Sequence, residues 1–469
     1  MSQPHRLPAG GHVDRERAVS FTFDGRAMQG HPGDTLASAL LANGVRLVGR
    51  SFKYHRPRGI FSAGVEEPNA LVELRDGARR EPNTRATVAE LFDGLTASSQ
   101  NRRGSLAFDW MSVNGLLAPW LGAGFYYKTF MWPASFWERV YEPLIRRAAG
   151  LGSASGLADP DRYEGAHAHC DVLVVGAGAA GLAAARAAGA AGARVILAEQ
   201  DFLLGGDLLN DAVLEPWRTD TIAALAAMPD VTLMPRTTVY GFYDHGVLGA
   251  VERVADHLPE PPPHAPRQRA WTIRTKQVVH ATGAHERLIA FPGNDRPGVM
   301  LAGAARTYAR RYGVRAGEAA VLFATHDGAY DAAFAMAEAG ARIGAIIDPR
   351  RDSPAMQRAR EAGFTLRGGS EVCGTVGGNA LRGVEVRALG AAGRGDAYPA
   401  DLLMISGGWN PAVHLASMSG APLVWDEALS AFLPGAPVQR ECSAGACRGV
   451  HGIGAAAADG AAAGRAAAI

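Results

Sequence analysis

The chain has 469 residues, of which 48% are apolar, and at about 150 residues per domain this length predicts roughly three folded domains. Lysine and arginine number 47 against 46 aspartate and glutamate residues, so the formal net charge is +1. A nearly neutral chain has no global field that attracts nucleic acid or an anionic membrane, and we expect neither as a partner.

Cysteine content and apolar runs indicate the compartment. The four cysteines, Cys170, Cys373, Cys442 and Cys447, are too few and too scattered for a disulfide framework, which favours a reducing environment. Residues 1–17 form a polar extension, and the longest uncharged apolar run, residues 172–185, is too short to span a membrane. We therefore expect a cytoplasmic protein.

Residues 18–88 follow the pattern of a small α+β module. Apolar side chains alternate over residues 19–23, which predicts a strand, and Asp24-Gly25 then predicts a tight turn. Asp34-Thr35 can cap an apolar-periodic helix over residues 36–43, and another strand is predicted over residues 70–74.

Residues 89–168 are predicted to form a helical connector with many aromatic side chains. These crowd the segment GFYYKTFMWPASFWERVYEP and are Phe125, Tyr126, Tyr127, Phe130, Trp132, Phe136, Trp137 and Tyr141. Two interpretations stay open. The side chains form a core between domains, or they dock on a partner, since aromatic residues are enriched at the centres of protein interfaces.

A dinucleotide-binding motif opens the region of residues 169–290. A buried strand over residues 171–175 leads into Gly176-x-Gly178-x-x-Gly181, an alanine-rich helix and a second strand that ends at Glu199. Gly176 permits the tight turn, Gly178 lets the backbone approach a pyrophosphate, and Gly181 lets helix and strand pack closely. The helix N-terminus offers N–H groups and positive potential to the phosphates. Glu199 is predicted to bind the adenosine ribose, which favours NAD or FAD over NADP.

A second nucleotide domain is predicted over residues 291–404, between strands that end near Thr282-Gly283 and at residues 406–408. It repeats the strand, helix and strand order and ends its second strand at Asp348. Its turn, however, reads ATHDG at residues 324–328 and lacks the first two glycines, and Asp327 would repel a phosphate. We therefore predict a degenerate domain that serves mainly as scaffold, after which residues 405–469 return to the first domain.

The C-terminal segment bears on the choice of dinucleotide. The two predicted domains resemble those of flavoproteins with two dinucleotide-binding domains, which carry at this place a Gly-Asp pair whose acid holds the flavin ribityl chain. In this sequence Gly445 is followed by Ala446. This change favours NAD over FAD. Cys442 and Cys447 are interpreted as ordinary buried thiols. The histidines lack the spacing of metal ligands, so we predict no metal site, and we find no constellation of catalytic residues.

Taken together, the residues resemble the alpha subunit of heterotetrameric sarcosine oxidase. The resemblance runs through nearly the whole chain and is most specific over residues 50–95, 123–152 and 169–185. It implies an α/β protein with two dinucleotide-binding, Rossmann-like domains of the flavoprotein type, preceded by a ferredoxin-like β-grasp module. Related subunits carry a [2Fe–2S] cluster in that module, but this chain has no cysteine before Cys170, so we expect no iron–sulfur cluster.

The resemblance also implies a function. Sarcosine would be oxidised to glycine, formaldehyde and hydrogen peroxide on a FAD-bearing beta subunit, with gamma and delta subunits in the same complex and FMN at the alpha–beta interface. Alpha would bind NAD without taking part in turnover. The implied NAD site comprises Gly176, Gly178, Ala179, Ala180, Gly181, Glu199, Gln200, Gly206, Val239, Thr282, Gly283 and Gly445. Two interpretations stay open for Lys53, Arg56 and Arg58: they bind the FMN phosphate, or they belong to a solvated basic loop.

One departure from the family concerns length. Alpha subunits of that family continue into an aminomethyltransferase-like half that binds folate, and since this sequence stops at Ile469 we expect that half to be missing. Either the gene is split or truncated, or the chain is a shorter relative. The alternative function is therefore a FAD oxidoreductase subunit of an amino-acid or opine dehydrogenase, either self-sufficient or dependent on a partner.

Overall fold

The computed structural model describes residues 3–122, 124, 129–149 and 152–468. Its contacts divide the chain into two compact units. Unit 1 consists of Met1–Pro160 and Leu288–Gly408, and unit 2 consists of Asp161–Arg287 and Trp409–Ile469. The breaks lie within eight residues of those predicted at 168/169, 290/291 and 404/405. The N-terminal module, the connector and the second nucleotide domain, predicted as separate domains, fall within one unit.

Strands and helices are numbered in chain order. The strands are β1 (Val19–Phe23), β2 (Arg26–Gly30), β3 (Gly49–Arg50), β4 (Pro57–Arg58), β5 (Leu71–Leu74), β6 (Glu81–Arg85), β7 (Leu95–Ser99), β8 (Tyr163–Val175), β9 (Val195–Ala198), β10 (Val231–Met234), β11 (Thr237–Tyr243), β12 (Val247–Glu252), β13 (Gln268–His280), β14 (Ala284–Glu286), β15 (Val299–Leu301), β16 (Ala319–Ala324), β17 (Arg342–Asp348), β18 (Leu366–Gly368), β19 (Ser370–Gly377), β20 (Leu381–Ala388), β21 (Asp396–Pro399), β22 (Leu402–Ser406), β23 (Trp409–Pro411), β24 (Leu423–Asp426), β25 (Ala431–Pro434) and β26 (Glu441–Ser443). The α-helices are α1 (Leu36–Ala42), α2 (Glu142–Ala149), α3 (Ala179–Ala190), α4 (Glu215–Ala226), α5 (Ala302–Arg310), α6 (Tyr330–Glu338), α7 (Pro354–Glu361), α8 (His414–Met418) and α9 (Ile453–Ala467).

The N-terminal module of unit 1 is a mixed sheet in the order β2-β1-β7-β5-β6, packed with helix α1. Asp24 and Gly25 both have positive φ, of 49° and 75°, as a tight hairpin turn between β1 and β2 requires. Thr35 caps α1 by accepting the backbone N–H of Ser38, and every residue of α1 is buried. Strand β7 lies between β1 and β5, so the module extends past the predicted boundary at residue 88 into residues predicted as connector.

The second part of unit 1 is a parallel sheet in the order β15-β22-β16-β17-β18, with the antiparallel strands β19, β20 and β21 beside it. One continuous hydrophobic core joins this sheet to the N-terminal module. The Leu301 N–H donates to Phe61 O at 2.8 Å, and the buried Tyr308 hydroxyl donates to Ser62 O at 2.8 Å. This shared core explains why the two parts form one unit.

The aromatic segment of the connector is not a core. None of its side chains described over residues 129–141 is buried, and Trp132 is 85% exposed. Phe125, Tyr126 and Tyr127 lie outside the described residues. Upstream in the connector, Phe108, Trp110 and Trp120 are each more than 70% exposed. The interpretation as a core between domains is therefore wrong for the described side chains.

Unit 2 is built on a sheet in the order β10-β9-β8-β13-β12-β11, with β26 paired to the end of β13. Strands β8, β9, β10 and β13 run parallel, and β11 and β12 continue the sheet in antiparallel pairing. Strand β8 begins at Tyr163 rather than at residue 171, because its first half pairs with β13 and has no counterpart on β9. Helices α3 and α9 cover the apolar face formed by Val172, Val174 and Leu197.

Candidate functional site

The glycine turn after β8 has the geometry that the motif predicts. Gly176 has φ of +97°, and a Cβ on it would overlap the carbonyl oxygen of Ala281. A Cβ on Gly181 would overlap the carbonyl oxygen of Gly176. Both glycines are therefore required by the fold itself, whether or not a ligand is present.

Gly178 differs from its two neighbours in the motif. It is the N-cap residue of α3, with φ of −70°, and a Cβ on it would meet no atom within 4 Å. Gly206 packs beside it, because a Cβ on Gly206 would lie 3.2 Å from the Gly178 Cα. No side chain caps α3, so its first N–H groups, on Ala179 and Ala180, are available for an anion. Bare backbone next to a helix N-terminus is what a pyrophosphate needs, and the site fits a dinucleotide.

Glu199 closes the other side of this turn. It is 8% exposed at the end of β9, and its carboxylate accepts the N–H groups of Ala177 at 2.7 Å and Asp201 at 2.9 Å. The Glu199 carbonyl oxygen accepts the N–H of Thr237 at 2.7 Å, so the first residue of β11 lies beside Glu199. Val239 follows two residues later on the same strand. The structure thus brings Glu199 to the glycine turn.

Gln200 and the residues that follow β13 are each tied to another segment of unit 2 by hydrogen bonds. The Gln200 carbonyl accepts a hydrogen bond from Arg253 at 2.7 Å. Beyond β13, the Thr282 hydroxyl donates to Ala412 O at 2.7 Å, and the Ala412 N–H donates to Gly283 O at 3.0 Å. The Gly176 turn lies against this strand end, since its Cβ position faces Ala281.

The C-terminal segment packs on the same turn. A Cβ on Gly445 would lie 2.7 Å from the Ala180 Cβ, and Gly445 has φ of +75°. The Gly445 N–H donates to the Asp459 carboxylate at 2.8 Å. An acid therefore approaches this position from α9, although none follows Gly445 in the sequence.

Helix α9 contributes residues that the sequence analysis missed. Cβ atoms on Gly460 and Gly464 would overlap the carbonyl oxygens of Ala180 and Ala184, so the two helices touch backbone to backbone. Because higher numbers in α9 meet higher numbers in α3, the helices run parallel and their N-termini lie at the same end of the sheet. The spacing of two glycines four residues apart in an alanine-rich helix was the available signal.

Of the three thiols of unit 2, Cys170 and Cys447 are buried, whereas Cys442, which was also predicted to be buried, is only half-buried. The Cys447 Sγ donates to the carbonyl oxygen of His280 at 3.1 Å, and burial raises the Cys447 pKa. Burial also raises the pKa of Cys442 to about 11 and that of Cys170 to about 11. All four cysteines are free thiols. Because the thiolate is the reactive form, the raised pKa values of Cys170, Cys442 and Cys447 disfavour thiol chemistry at these three positions.

The second nucleotide turn, in unit 1, is closed by an ion-pair cluster. Arg350 donates to Asp348 at 2.8 Å and to Asp327 at 2.7 Å. Asp348 is fully buried and also accepts the Tyr330 hydroxyl at 2.9 Å and the Arg350 backbone N–H at 2.8 Å. Asp348, which stands where an intact dinucleotide motif has its ribose-binding acid, is therefore already surrounded by donors, and Asp327 is directed at Arg350.

The predicted phosphate-binding cations of unit 1 already have partners within the chain. Arg56 and Arg58 both form ion pairs with Asp295, the first at 2.5 Å. Lys53 donates to Gly122 O at 2.8 Å and lies 5.0 Å from the centre of the Tyr54 ring. Asp295 thus competes with any phosphate for the two guanidinium groups.

Among the residues that the structure describes, no group of three or more histidine, cysteine, aspartate and glutamate side chains could hold a metal ion. In the same part of the chain, no helix is both long and apolar enough to cross a membrane.

Comparison with known protein families gives two matches. Residues 170–430 match the family described as pyridine nucleotide-disulphide oxidoreductase, and residues 16–102 match one described as 2Fe-2S iron-sulfur cluster binding domain. They confirm the fold class, a ferredoxin-like module followed by a Rossmann-like flavoprotein fold. The longer match implies a site of the FAD/NAD(P)-binding type.

The residues of the N-terminal module do not fit the cluster that its family name implies. Cysteine thiolates hold [2Fe–2S] clusters, with histidine replacing two of them in some proteins. Residues 16–102 contain no cysteine. The loop before β5 instead encloses the carboxylate of Glu67, which is 1% exposed.

The chain is also similar to proteins that are named as oxidoreductase subunits, in agreement with the match over residues 170–430. The chain is 52% identical to sarcosine oxidase subunit alpha from Rhizobium meliloti (strain 1021), over 94% of this chain and 45% of that protein. It is 41% identical to sarcosine oxidase subunit alpha from Corynebacterium sp. (strain P-1), over 99% of this chain and 45% of that protein. The chain thus spans less than half the length of these relatives, and the predicted resemblance to their family is confirmed.

A solved structure supports the fold. L-proline dehydrogenase from P. horikoshii matches with a TM-score of 0.64 at 17% identity, over 98% of this chain and 74% of that chain, a likeness that concerns the fold alone. The prediction of an oxidoreductase subunit is confirmed by the relatives and the family match. With residues 170–430 matched, the chain belongs to the pyridine nucleotide-disulphide oxidoreductase family.

Proposed function

We propose that unit 2 binds NAD at the glycine turn. The observation that carries this proposal is the bare backbone of Gly178, which has open space where a Cβ would project and Gly206 packed beside it. The N-terminus of α3 would bind the pyrophosphate, and Glu199 would face the adenosine ribose. Gly176, Ala179, Ala180, Gly181, Gln200, Val239, Thr282, Gly283 and Gly445 complete the proposed site.

NAD is preferred to FAD because of the C-terminal segment. Ala446 follows Gly445 where an acid would hold a ribityl chain. The nearby carboxylate of Asp459 is bound to the Gly445 N–H and to Arg448, the latter at 3.2 Å. Asp459 therefore already binds the turn Gly445–Arg448 and holds it against α9, instead of being directed at a ribityl chain.

We infer further that the chain acts as an alpha-type subunit in a sarcosine-oxidising complex. The support is its 52% identity to a sarcosine oxidase subunit alpha over 94% of this chain. Oxidation of sarcosine to glycine, formaldehyde and hydrogen peroxide would take place on a beta subunit that carries FAD.

In this chain, Glu199 beside the glycine turn is proposed to position a ligand rather than to transfer a proton. Its carboxylate already accepts two backbone N–H groups, a geometry that suits positioning.

The connector is the proposed contact with the partner subunits, beta, gamma and delta. Trp110, Trp120 and Trp132 are 72%, 76% and 85% exposed, and Phe108 is 74% exposed. Exposed aromatic side chains at this density are typical of protein interfaces. Replacing the three tryptophans with serine should leave the fold intact and reduce co-purification with the partner subunits. Undiminished assembly would contradict this proposal.

FMN at the interface with the beta subunit is proposed to bind near Lys53, Arg56 and Arg58. Replacing all three with alanine should lower the FMN content of the assembled complex. Because Asp295 pairs with both arginines, D295N is the matched control: it frees the two cations and should not lower FMN content. Unchanged FMN in the triple variant would refute the assignment.

The deciding experiment for the dinucleotide is to express the chain alone, denature it and identify the released molecules by mass spectrometry. NAD without flavin supports the proposed function. Stoichiometric FAD would overturn it and favour the second candidate, a FAD oxidoreductase subunit of an amino-acid or opine dehydrogenase. That candidate is kept because the turn and Glu199 would contact the adenosine diphosphate half that NAD and FAD share.

A further inference from the structure

The loop of residues 61–70, between β4 and β5, is organised around one buried carboxylate. Glu67 is 1% exposed. Its Oε2 accepts the N–H groups of Phe61 at 2.9 Å and Ser62 at 2.6 Å. Its Oε1 accepts those of Asn69 at 2.8 Å and Ala70 at 2.9 Å. The carboxylate therefore joins the beginning of the loop to its end.

The four N–H groups form an anion-binding site, and the anion that occupies it is the side chain of Glu67 from the same loop. Four backbone N–H groups converge on two oxygens, and a carboxylate is acceptor-only when it is ionised. Burial raises the pKa of Glu67, while the four N–H donors act against that rise. A buried charge is tolerated only where hydrogen bonds replace its hydration, which the four donors do here.

The loop matters for the rest of unit 1. Phe61 O accepts the Leu301 N–H, and Ser62 O accepts the Tyr308 hydroxyl, both at 2.8 Å. The same residues whose N–H groups bind Glu67 thus hold the N-terminal module against α5 and the strand before it. A loop that lost its central anion would loosen this contact.

We propose that Glu67 takes the place of the iron–sulfur cluster in this module, as the internal anion around which the loop of residues 61–70 folds. In a [2Fe–2S] protein, thiolates and a negatively charged cluster occupy the centre of such a binding loop. Here residues 16–102 contain no cysteine, and a glutamate from the loop itself supplies the negative charge. The module is then a structural element and carries no electrons. This inference is independent of which dinucleotide unit 2 binds.

The test uses the full chain and thermal unfolding. E67A removes the anion and leaves four buried N–H groups without an acceptor, so Tm should fall by about 5–10 °C. Added sodium formate should recover part of that loss in E67A and none in the wild type, with sodium chloride at equal ionic strength as the control. Glu66 is exposed, and E66A is the matched variant, expected to keep the wild-type Tm.

Two further measurements keep the inference testable if E67A does not fold. E67Q has the same shape but turns an NH2 group toward two N–H donors, so its Tm should also fall, and formate should not restore it. A wild-type Tm in E67Q or E67A would overturn the proposal. Anaerobic treatment of the wild-type chain with ferrous iron and sulfide should leave its absorption spectrum without cluster bands. A stoichiometric [2Fe–2S] spectrum would equally overturn it.

Discussion

The substitution G178A should separate binding from folding. Gly178 has φ of −70°, and an added Cβ would meet no protein atom within 4 Å. Replacing glycine with alanine lowers the entropy of the unfolded chain, which stabilises by about 0.4–1 kcal/mol, while alanine is a poorer N-cap than glycine by a similar amount. These effects offset each other, so the free energy of unfolding should change by less than about 1 kcal/mol.

Binding should respond differently, because the new methyl group would occupy the space that a pyrophosphate must enter. Overpacking of this kind costs about 1–3 kcal/mol, which corresponds to roughly 5–150-fold weaker binding of NAD. The assay is calorimetric titration of NAD into the dinucleotide-free chain, together with mass spectrometry of the dinucleotide that the purified variant retains. Urea unfolding of the same samples reports stability.

The matched control is G176A in the same turn. Gly176 has φ of +97°, and its Cβ would overlap Ala281 O, so this variant should lose more than about 2 kcal/mol of stability. The expected pair of results is therefore a stable G178A that binds NAD roughly 5–150-fold more weakly and an unstable G176A. A folded G178A that binds NAD as tightly as the wild type would refute the placement of the pyrophosphate.

Three further predictions concern packing, thiols and the second nucleotide turn. G460A should lose about 2–4 kcal/mol in urea unfolding, because its Cβ would overlap Ala180 O, whereas G454A in the same helix has open space and should be neutral. Since the pKa of Cys442 is raised to about 11, roughly 0.1% of its thiol is ionised at pH 8. Its alkylation in the native chain should be slow at pH 8 and accelerate as the pH rises toward 11; labelling as fast as in denaturant would contradict the raised pKa of this thiol. R350A leaves the buried Asp348 without its cation and should cost about 1–3 kcal/mol, a value reduced because Arg350 is one-third exposed. R350A should also gain no NAD binding, and a second equivalent of bound NAD would show that Arg350 alone closes that site.

Much of the site could be predicted from the sequence because its requirements are local. The turn from β8 into α3 depends on three glycines within six residues, and their roles follow from backbone sterics alone. The capped helix α1 and the tight turn at Asp24-Gly25 are local in the same sense. These elements lie where the sequence pattern placed them, to within a residue or two.

Other features depend on contacts between residues far apart in the chain. Strand β7 reads LTASS, a weak pattern, and becomes a strand because it pairs with β1, more than 70 residues earlier. The acid beside Gly445 comes from Asp459 on a helix rather than from the next residue. The second nucleotide turn is closed by Arg350. This role could not be predicted from the sequence, because it depends on β17 placing Arg350 beside Asp327 in the folded chain.

The sequence by itself determined the family, the glycine turn and the lack of cysteine ligands in the N-terminal module, since each depends on residue identity and short spacing. Only the tertiary structure decided which side chains are buried, which are exposed and which segments pack together. Packing made Glu67 the centre of a loop, joined the N-terminal module to the degenerate domain in one core, and left the connector tryptophans exposed. Burial and hydrogen-bond satisfaction are properties of the whole fold, because they depend on which distant segments exclude water from each group.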